Sequence, residues 1–435
     1  MAQPKNPNSI ERPTSTSWTG WTPAGGMPLP GGPSAPDHRI AFVLRLGHSL
    51  HTSGYAAHRL EEALELASDS LGLRGQFFST PTSIMASFGP QDDQQTFLIR
   101  VEPGESNLGK LAQADEVTRE VLNGRLTPFE GATRLEQIEA APPRYPIWLT
   151  TLAFAIVSGS SARFLGGGWH EMLAGLFIGL IIGLLAIAAG RKEALGRVFE
   201  PVAALTASLI AAGIAAAGFP MSVFLATLAG VIVLIPGLML TTAMTELSTR
   251  HLASGTARLM GAFVMLMGIA FGIALGTKIA ELAFGTIPST PPHSLPLWTL
   301  YLSILVSPLG FVVLLKAELR DAGWIVLAGV LSFAGARLGQ RVLGPELGAF
   351  GGALVAGFFG NWYARVTDRP AQITMVPGLL LLVPGSVGVM AFAAFTSSQT
   401  ETGVEGAFRM VLIAVSLVAG ILIANIVSPR RKLLT

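Results

Sequence analysis

Two Pro-Gly dipeptides, in Ile235-Pro236-Gly237 and Val383-Pro384-Gly385, lie inside long apolar stretches. Proline removes an amide donor and glycine tolerates unusual dihedrals, so each should interrupt a helix. A helix that restarts after such a break presents free amides. Those of Gly237 and Leu238 follow Pro236, and those of Gly385 and Ser386 follow Pro384, a suitable cradle for a carboxylate. Thr241, Thr242, Thr245 and Glu246 come after the first break at spacings that let them share a helical face, where hydroxyls and a carboxylate suit a small zwitterion. Glu246 is the candidate for pairing a substrate ammonium or carrying a coupling proton, with an ion pair to Arg250 at i+4 as the alternative. Val376-Pro377-Gly378 is a third candidate break. For all three, a kink that only fixes helix packing is the competing reading.

Other chemistry-bearing residues point less far. His48, His51 and His58 fall within eleven residues, with Glu61 and Glu62 behind them, and suggest a metal site. Gly54 should break their shared helix, and no further ligand cluster closes the shell, so they read as helix-surface histidines with no metal. Ser53 and Ser79 lack a G-x-S-x-G elbow. The chain reads as a non-enzyme without cofactor. Lys278 and Glu281 look like a local pair, and Asn361 and Asn425 like amides that hold helices together. Absence of cysteine removes disulfides and thiolate ligands.

Membrane helices must position the breaks. Half of the 435 residues are apolar, 13% are charged and mean hydropathy is +0.55. Ten apolar stretches follow one another at 147–165, 171–189, 199–218, 221–245, 257–284, 297–315, 322–338, 347–364, 372–394 and 407–427, and about twenty apolar residues span a bilayer as helix. With residues 38–145 inside, the inner side carries Arg191, Lys192, Arg197, Arg250, Arg258, Lys316, Arg320, Arg365, Arg369, Arg430, Arg431 and Lys432. The outer side carries Arg163, Lys278, Arg337, Arg341 and Arg409. That asymmetry places both termini in the cytoplasm and makes the number of spans even.

A shift of 148 positions lays Pro384-Gly385 on Pro236-Gly237, Gly403 on Gly255 and Gly420 on Gly272. Five spans per copy is odd, so the second copy enters from the opposite face. The expected fold is a polytopic α-helical membrane protein of about ten transmembrane helices, as two inverted five-helix repeats over 146–284 and 297–428. Chance likeness between Gly-rich helices is the alternative.

Residues 38–145 read as a cytoplasmic α/β domain. Helical periodicity runs over 40–50, 56–71 and 108–122, and strands are expected over 76–88 and 96–101, joined by the polar turn 89–95. Residues 1–37, rich in Pro and Gly and without the apolar core of a signal peptide, read as a disordered tail, and 429–435 as a basic cytoplasmic tail. The net charge of +2 and pI near 9.0 come largely from basic residues between spans and indicate no nucleic acid.

Certain stretches add a resemblance: Leu50-His51-Thr52-Ser53-Gly54, Arg59-Leu60-Glu61-Glu62, Gln76-Phe77-Phe78-Ser79-Thr80-Pro81-Thr82, Ala86-Ser87-Phe88-Gly89 and Val101-Glu102-Pro103-Gly104-Glu105-Ser106-Asn107-Leu108-Gly109-Lys110. On them, and from about Ile40 onward, the chain resembles the threonine/serine exporters of bacteria. The resemblance implies a cytoplasmic-membrane protein with a hydrophilic N-terminal domain and about ten helices, exporting L-threonine and L-serine at the expense of the proton-motive force. Its partners would be the small amino-acid substrate, protons and the lipid bilayer. No G-x-x-x-x-G-K-[ST] loop is present, which fits a secondary transporter. Two alternatives stay open: a transporter of another small carboxylate, or a membrane-anchored enzyme or sensor acting through residues 38–140. The oligomeric state is open too, a homo-oligomer included.

Overall fold

The structure is a computed structural model that describes residues 37–102, 104, 106–287, 290–382, 385–396 and 399–428. Both expected tails, apart from Asp37, lie outside the described residues, as do Pro103, Glu105, Val383 and Pro384.

Polar residues with a helical apolar stripe form α1 (His38–Thr52) and α2 (Ala57–Ser70), separated where Gly54 takes φ +85°, a region that glycine enters without a Cβ clash. Three strands follow, β1 (Gly75–Thr80), β2 (Ser83–Phe88) and β3 (Gln95–Arg100), antiparallel in that order. The stretch 76–88 is therefore a hairpin instead of the single strand expected. Pro81 has no amide for a ladder, and the hydroxyls of Thr80 and Ser83 bond at 2.8 Å across the turn. Asn107 caps α3 (Leu108–Leu122) by accepting from Lys110 N at 3.0 Å. A fourth helix that the sequence reading did not name, α4 (Pro128–Ala140), starts with a capping box of Thr127 and Glu130 and proline at its first position. Phe42, Leu46, Leu50, Leu60, Leu64 and Ile84 are fully buried among these elements, each worth roughly 1.5–3 kcal/mol of transfer free energy.

Asp115 on α3 is buried in this core beside Arg119, whose Nε lies 3.1 Å from its Oδ2. Burial pushes its carboxyl up from an ordinary 3.8 to about 7, with Arg119 opposing. The native state then keeps a proton that the unfolded chain loses, so this group's contribution to stability falls as pH rises from about 4 to about 7 and stays low above. Asp115→Asn removes that loss. Its melting temperature minus that of the wild type should climb across the window and level off beyond it; a flat difference would show that Asp115 does not titrate there.

The apolar remainder forms α5 (Ile147–Phe164), α6 (Trp169–Arg191), a single turn α7 (Glu193–Gly196), α8 (Phe199–Ala216), α9 (Val223–Gly230), α10 (Gly237–Ser248), α11 (Leu252–Phe284), α12 (Leu297–Leu314), α13 (Ala322–Leu343), α14 (Gly348–Thr367), α15 (Gln372–Leu380), α16 (Gly385–Thr396) and α17 (Thr400–Val427). Among the described residues eight helices are long and apolar enough to cross a membrane, and nine when α9 and α10 count as one bent span. The chain is a multi-pass α-helical membrane protein. The expected eighth span, α14, falls outside that count, since its glycines, Asn361 and Arg365 dilute its hydropathy. It packs between α13, α15 and α17.

The packing pattern recurs in the two halves. α9 lies against α6 and α8, as α15 lies against α13 and α14; α8 packs on α11, as α14 packs on α17. Between the halves α5 meets α12, α11 meets α16 and α10 meets α17. Small residues set these approaches. A Cβ on Gly272 would strike the Pro201 carbonyl and lie 3.1 Å from Leu205 N on α8, and one on Gly420 would come 2.6 Å from Phe350 O and 2.8 Å from Leu354 N on α14. Gly272→Ala should therefore cost about 1–3 kcal/mol, read as a lower melting temperature in detergent; an unchanged melt would mean that α8 and α11 can separate freely.

Candidate translocation site

The fourth span is broken. After α9, a 3-10 turn covers Ile232–Leu234, Ile235 is extended, and α10 begins at Gly237 with Pro236 as its N-cap, the two limbs meeting at 51°. The interruption thus begins at Val231, before the proline itself. Gly237 N donates to Ile235 O at 2.7 Å and Leu240 N to Pro236 O at 3.0 Å, so Gly237's amide is engaged within the break and the expected cradle narrows at that point. In the ninth span α16 starts at Gly385, and Pro384 lies outside the described residues. The third candidate break does not interrupt its helix, because α15 continues through Pro377. The helix packs closely on α13 just beyond the proline, where a Cβ on Gly378 would sit 2.7 Å from Ser332 Oγ.

The two breaks touch. A Cβ on Gly385 would collide with Ile235 Cγ2 and lie 3.4 Å from Gly237 Cα. Pro236, Gly237, Leu238, Gly385 and Ser386 line one cavity of about 880 Å³. Thr241, Thr242 and Thr245 line a second, of about 720 Å³, and Leu238 and Ser106 border both. The second cavity is roofed by α2 through His58, Arg59 and Glu62, with Tyr55 just ahead of that helix, and closed by Gln372 and Asn425. In the sequence His58 and Glu62 are weighed only against a metal site, and Tyr55 and Arg59 are not singled out. Arg59 and Glu62 do share a face of α2 at i+3, but nothing local shows that this face covers the break.

Glu246 lines neither cavity. Its side chain is fully buried, with Oε1 accepting from Ala57 N at 2.8 Å and Arg258 Nε at 3.1 Å, and Oε2 accepting from Ser254 Oγ at 2.8 Å. The ion pair is with Arg258 instead of Arg250. Ala57 is the first residue of α2, whose N-cap Ala56 offers no side-chain acceptor, so Glu246 caps a helix from another part of the chain. Beside it, Glu61 accepts from Ser79 N at 2.6 Å and its other oxygen faces His251 Nε2 at 3.1 Å. On the far side, Leu108 N donates to Leu315 O at 2.9 Å, Tyr145 to Ala317 O at 2.6 Å, and Arg144 meets Glu318 at 3.0 Å. The N-terminal elements are thus tied to both halves of the helical bundle.

The three clustered histidines diverge. His48 meets Glu139 at 2.8 Å, His51 meets Thr80 O at 3.0 Å, and His58 packs on the His251 ring; among the described residues no set of His, Asp or Glu is grouped to hold a metal ion. Ser53 donates to Ser49 O. Lys278 and Glu281 make the expected local pair at 2.6 Å. Asn361 binds Ser428 O at 2.9 Å and Asn425 Oδ1 at 3.3 Å, joining α14 to α17, while Asn425 also reaches the second cavity.

Residues 41–280 match the family model described as "Putative threonine/serine exporter", and residues 300–427 match one described as "Threonine/Serine exporter, ThrE". The chain belongs to the threonine/serine exporter family. It is 29% identical over 363 residues to pheromone-regulated membrane protein 10 of Saccharomyces cerevisiae, covering 80% of this chain and 46% of that protein. The protein of the same name from Debaryomyces hansenii is 28% identical over 388 residues, covering 84% of this chain and 38% of its own length. The chain therefore spans less than half the length of these relatives, and they come from yeasts, so the family is not confined to the bacteria named by the resemblance. No solved structure matches.

Proposed function

We propose that this protein is a secondary active exporter of small amino acids, L-threonine and L-serine, that works by alternating access across the cytoplasmic membrane and draws on the proton-motive force. Ten spans form two inverted five-helix repeats, with the N-terminal elements and both termini on the cytoplasmic side. Glycine contacts support the repeat: Gly255 seats on Leu247 and Gly403 on Phe395, 148 positions later, while Gly272 and Gly420 press on the backbones of α8 and α14. A pseudo-twofold axis between the halves would also exchange the contacts of α11 with α16 and of α10 with α17.

The observation that carries the reading is the meeting of the two breaks, Gly385 against Ile235 and Gly237, between two cavities. Irregular backbone at membrane depth is tolerated beside protein or a wet cavity, and transporters place their solute there. Rocking one half against the other at this seam would open the solute's path alternately to either side. Radiolabelled L-threonine in proteoliposomes tests it: flux should require the protein and accelerate when a pH gradient is imposed. Flux equal to that of protein-free vesicles would end the reading.

A further inference from the structure

An amino acid and a dicarboxylate both offer a carboxylate, and broken helices alone do not separate them. The cavity of about 720 Å³ under α2 does. Its charged lining comes from one helix, with Arg59 half-buried and Glu62, Glu65 and Asp69 exposed along the rim. His58 lines the same wall, but burial, helped by the nearby Arg59, His251 and Arg258, lowers it to about 3, so it is uncharged near neutral pH. Arg59 is thus the one cation among the described lining residues, and none of the described residues holds it by an ion pair or hydrogen bond. Burial holds its guanidinium below the ordinary value, with Tyr55 and Glu62 opposing, and a bound anion would relieve that desolvation.

Across the cavity the groups are acceptors. Thr241 donates its hydroxyl proton to Gly237 O at 3.1 Å and Thr245 donates its own to Thr241 O at 2.8 Å, so both present oxygen lone pairs, which suit an ammonium or hydroxyl and not a carboxylate. Gln372, 9% exposed, borders the cavity with Tyr55 and leaves Oε1 without a partner among the described residues. A buried amide oxygen left open in a cavity wall is waiting for a donor.

We infer that this cavity is a binding site for a small zwitterion, shared between the N-terminal helix and the broken span: Arg59 takes the α-carboxylate, Glu62 the α-ammonium, and Gln372 and Thr245 accept from a side-chain hydroxyl. The inference rests on the transport reading and sharpens it. One cation beside three carboxylates on the same helix repels a dianion and accommodates a molecule that carries one charge of each sign.

Full-length protein in detergent, probed by equilibrium dialysis with radiolabelled L-threonine, tests the site. L-threoninol lacks the carboxylate, N-acetyl-L-threonine lacks the ammonium, and succinate is the dianion. Each should compete at least about tenfold less well than unlabelled threonine, the scale of one charged hydrogen bond lost. Arg59→Gln should weaken threonine binding about tenfold and erase the preference over threoninol. Arg59→Lys, which keeps the charge without the fork, should retain part of it, and Gln372→Leu should weaken threonine relative to alanine; these two serve if Arg59→Gln does not fold. An unchanged threonine-to-threoninol ratio in the Arg59 variants, or succinate competing as well as threonine, overturns the site while the transport reading stands. Wild-type protein that neither binds threonine nor moves it in proteoliposomes overturns both.

Discussion

Glu246→Leu is expected to lower the stability of the folded protein by about 3–5 kcal/mol, the usual result of deleting one partner of a buried ion pair. The carboxylate has three donors, Ala57 N, Arg258 Nε and Ser254 Oγ, and no exposure. Leucine leaves the Arg258 guanidinium, 14% exposed, without its anion and the first amide of α2 without an acceptor. The α2 end should then lift from the α10–α11 corner, exposing residues 53–56 to protease while β1 to β3 stay folded. A double change to leucine at Glu246 and Arg258 should recover most of the loss, because an apolar pair of similar volume replaces a buried ion pair at little cost. Melting curves and limited proteolysis in detergent read both effects. A single variant as stable as wild type would mean that α2 is held by other contacts. Glu246→Gln addresses a different matter, since it keeps an acceptor oxygen and removes the ionisable group. Efflux that keeps its dependence on a pH gradient in that variant would clear Glu246 of proton coupling.

What was legible in the sequence is what depends on a residue's own backbone. Pro236 starts α10 because it lacks an amide and glycine follows it, and neither fact needs a neighbour. Pro377 carries the same signature inside a continuous helix, so a Pro-Gly pair alone does not decide a break. The pairing of Glu246 failed for a related reason. An i+4 contact requires helix throughout, but α10 ends at Ser248 and Arg250 sits at φ +67°, leaving the carboxylate to partners on α2 and α11. Composition placed the helices, α14 at 347–364 included, although the glycines that permit its close packing keep its hydropathy below that of the other spans. The strand expected over 76–88 divides at Pro81, whose missing amide is a signal of the turn that lies in the sequence itself. Arg59 and Gln372 are 313 positions apart in sequence, and only the docking of α2 over the break brings them to one cavity.

The seam between the breaks gives the other large effect. Gly385→Ala sets a methyl against Ile235 Cγ2, an atom fixed to Cβ that cannot swing away as a chain end could. Overpacking of this kind costs about 1–3 kcal/mol. Both breaks border the cavity of about 880 Å³, and if the halves move against each other here, the strain falls on the conformation in which the breaks touch and is released in the one where they part. A bias of that size shifts a two-state equilibrium by about 5- to 150-fold, so threonine efflux should fall by up to about a hundredfold while the protein still inserts and stays monodisperse. Ile235→Ala removes the opposing methyl. Alone it should alter efflux little, and combined with Gly385→Ala it should restore most of the flux, a rescue that simple misfolding would not give. Equal loss in the single and double variants would mean that this contact is static and that solute crosses elsewhere, because a moving seam must respond to relief of its own clash.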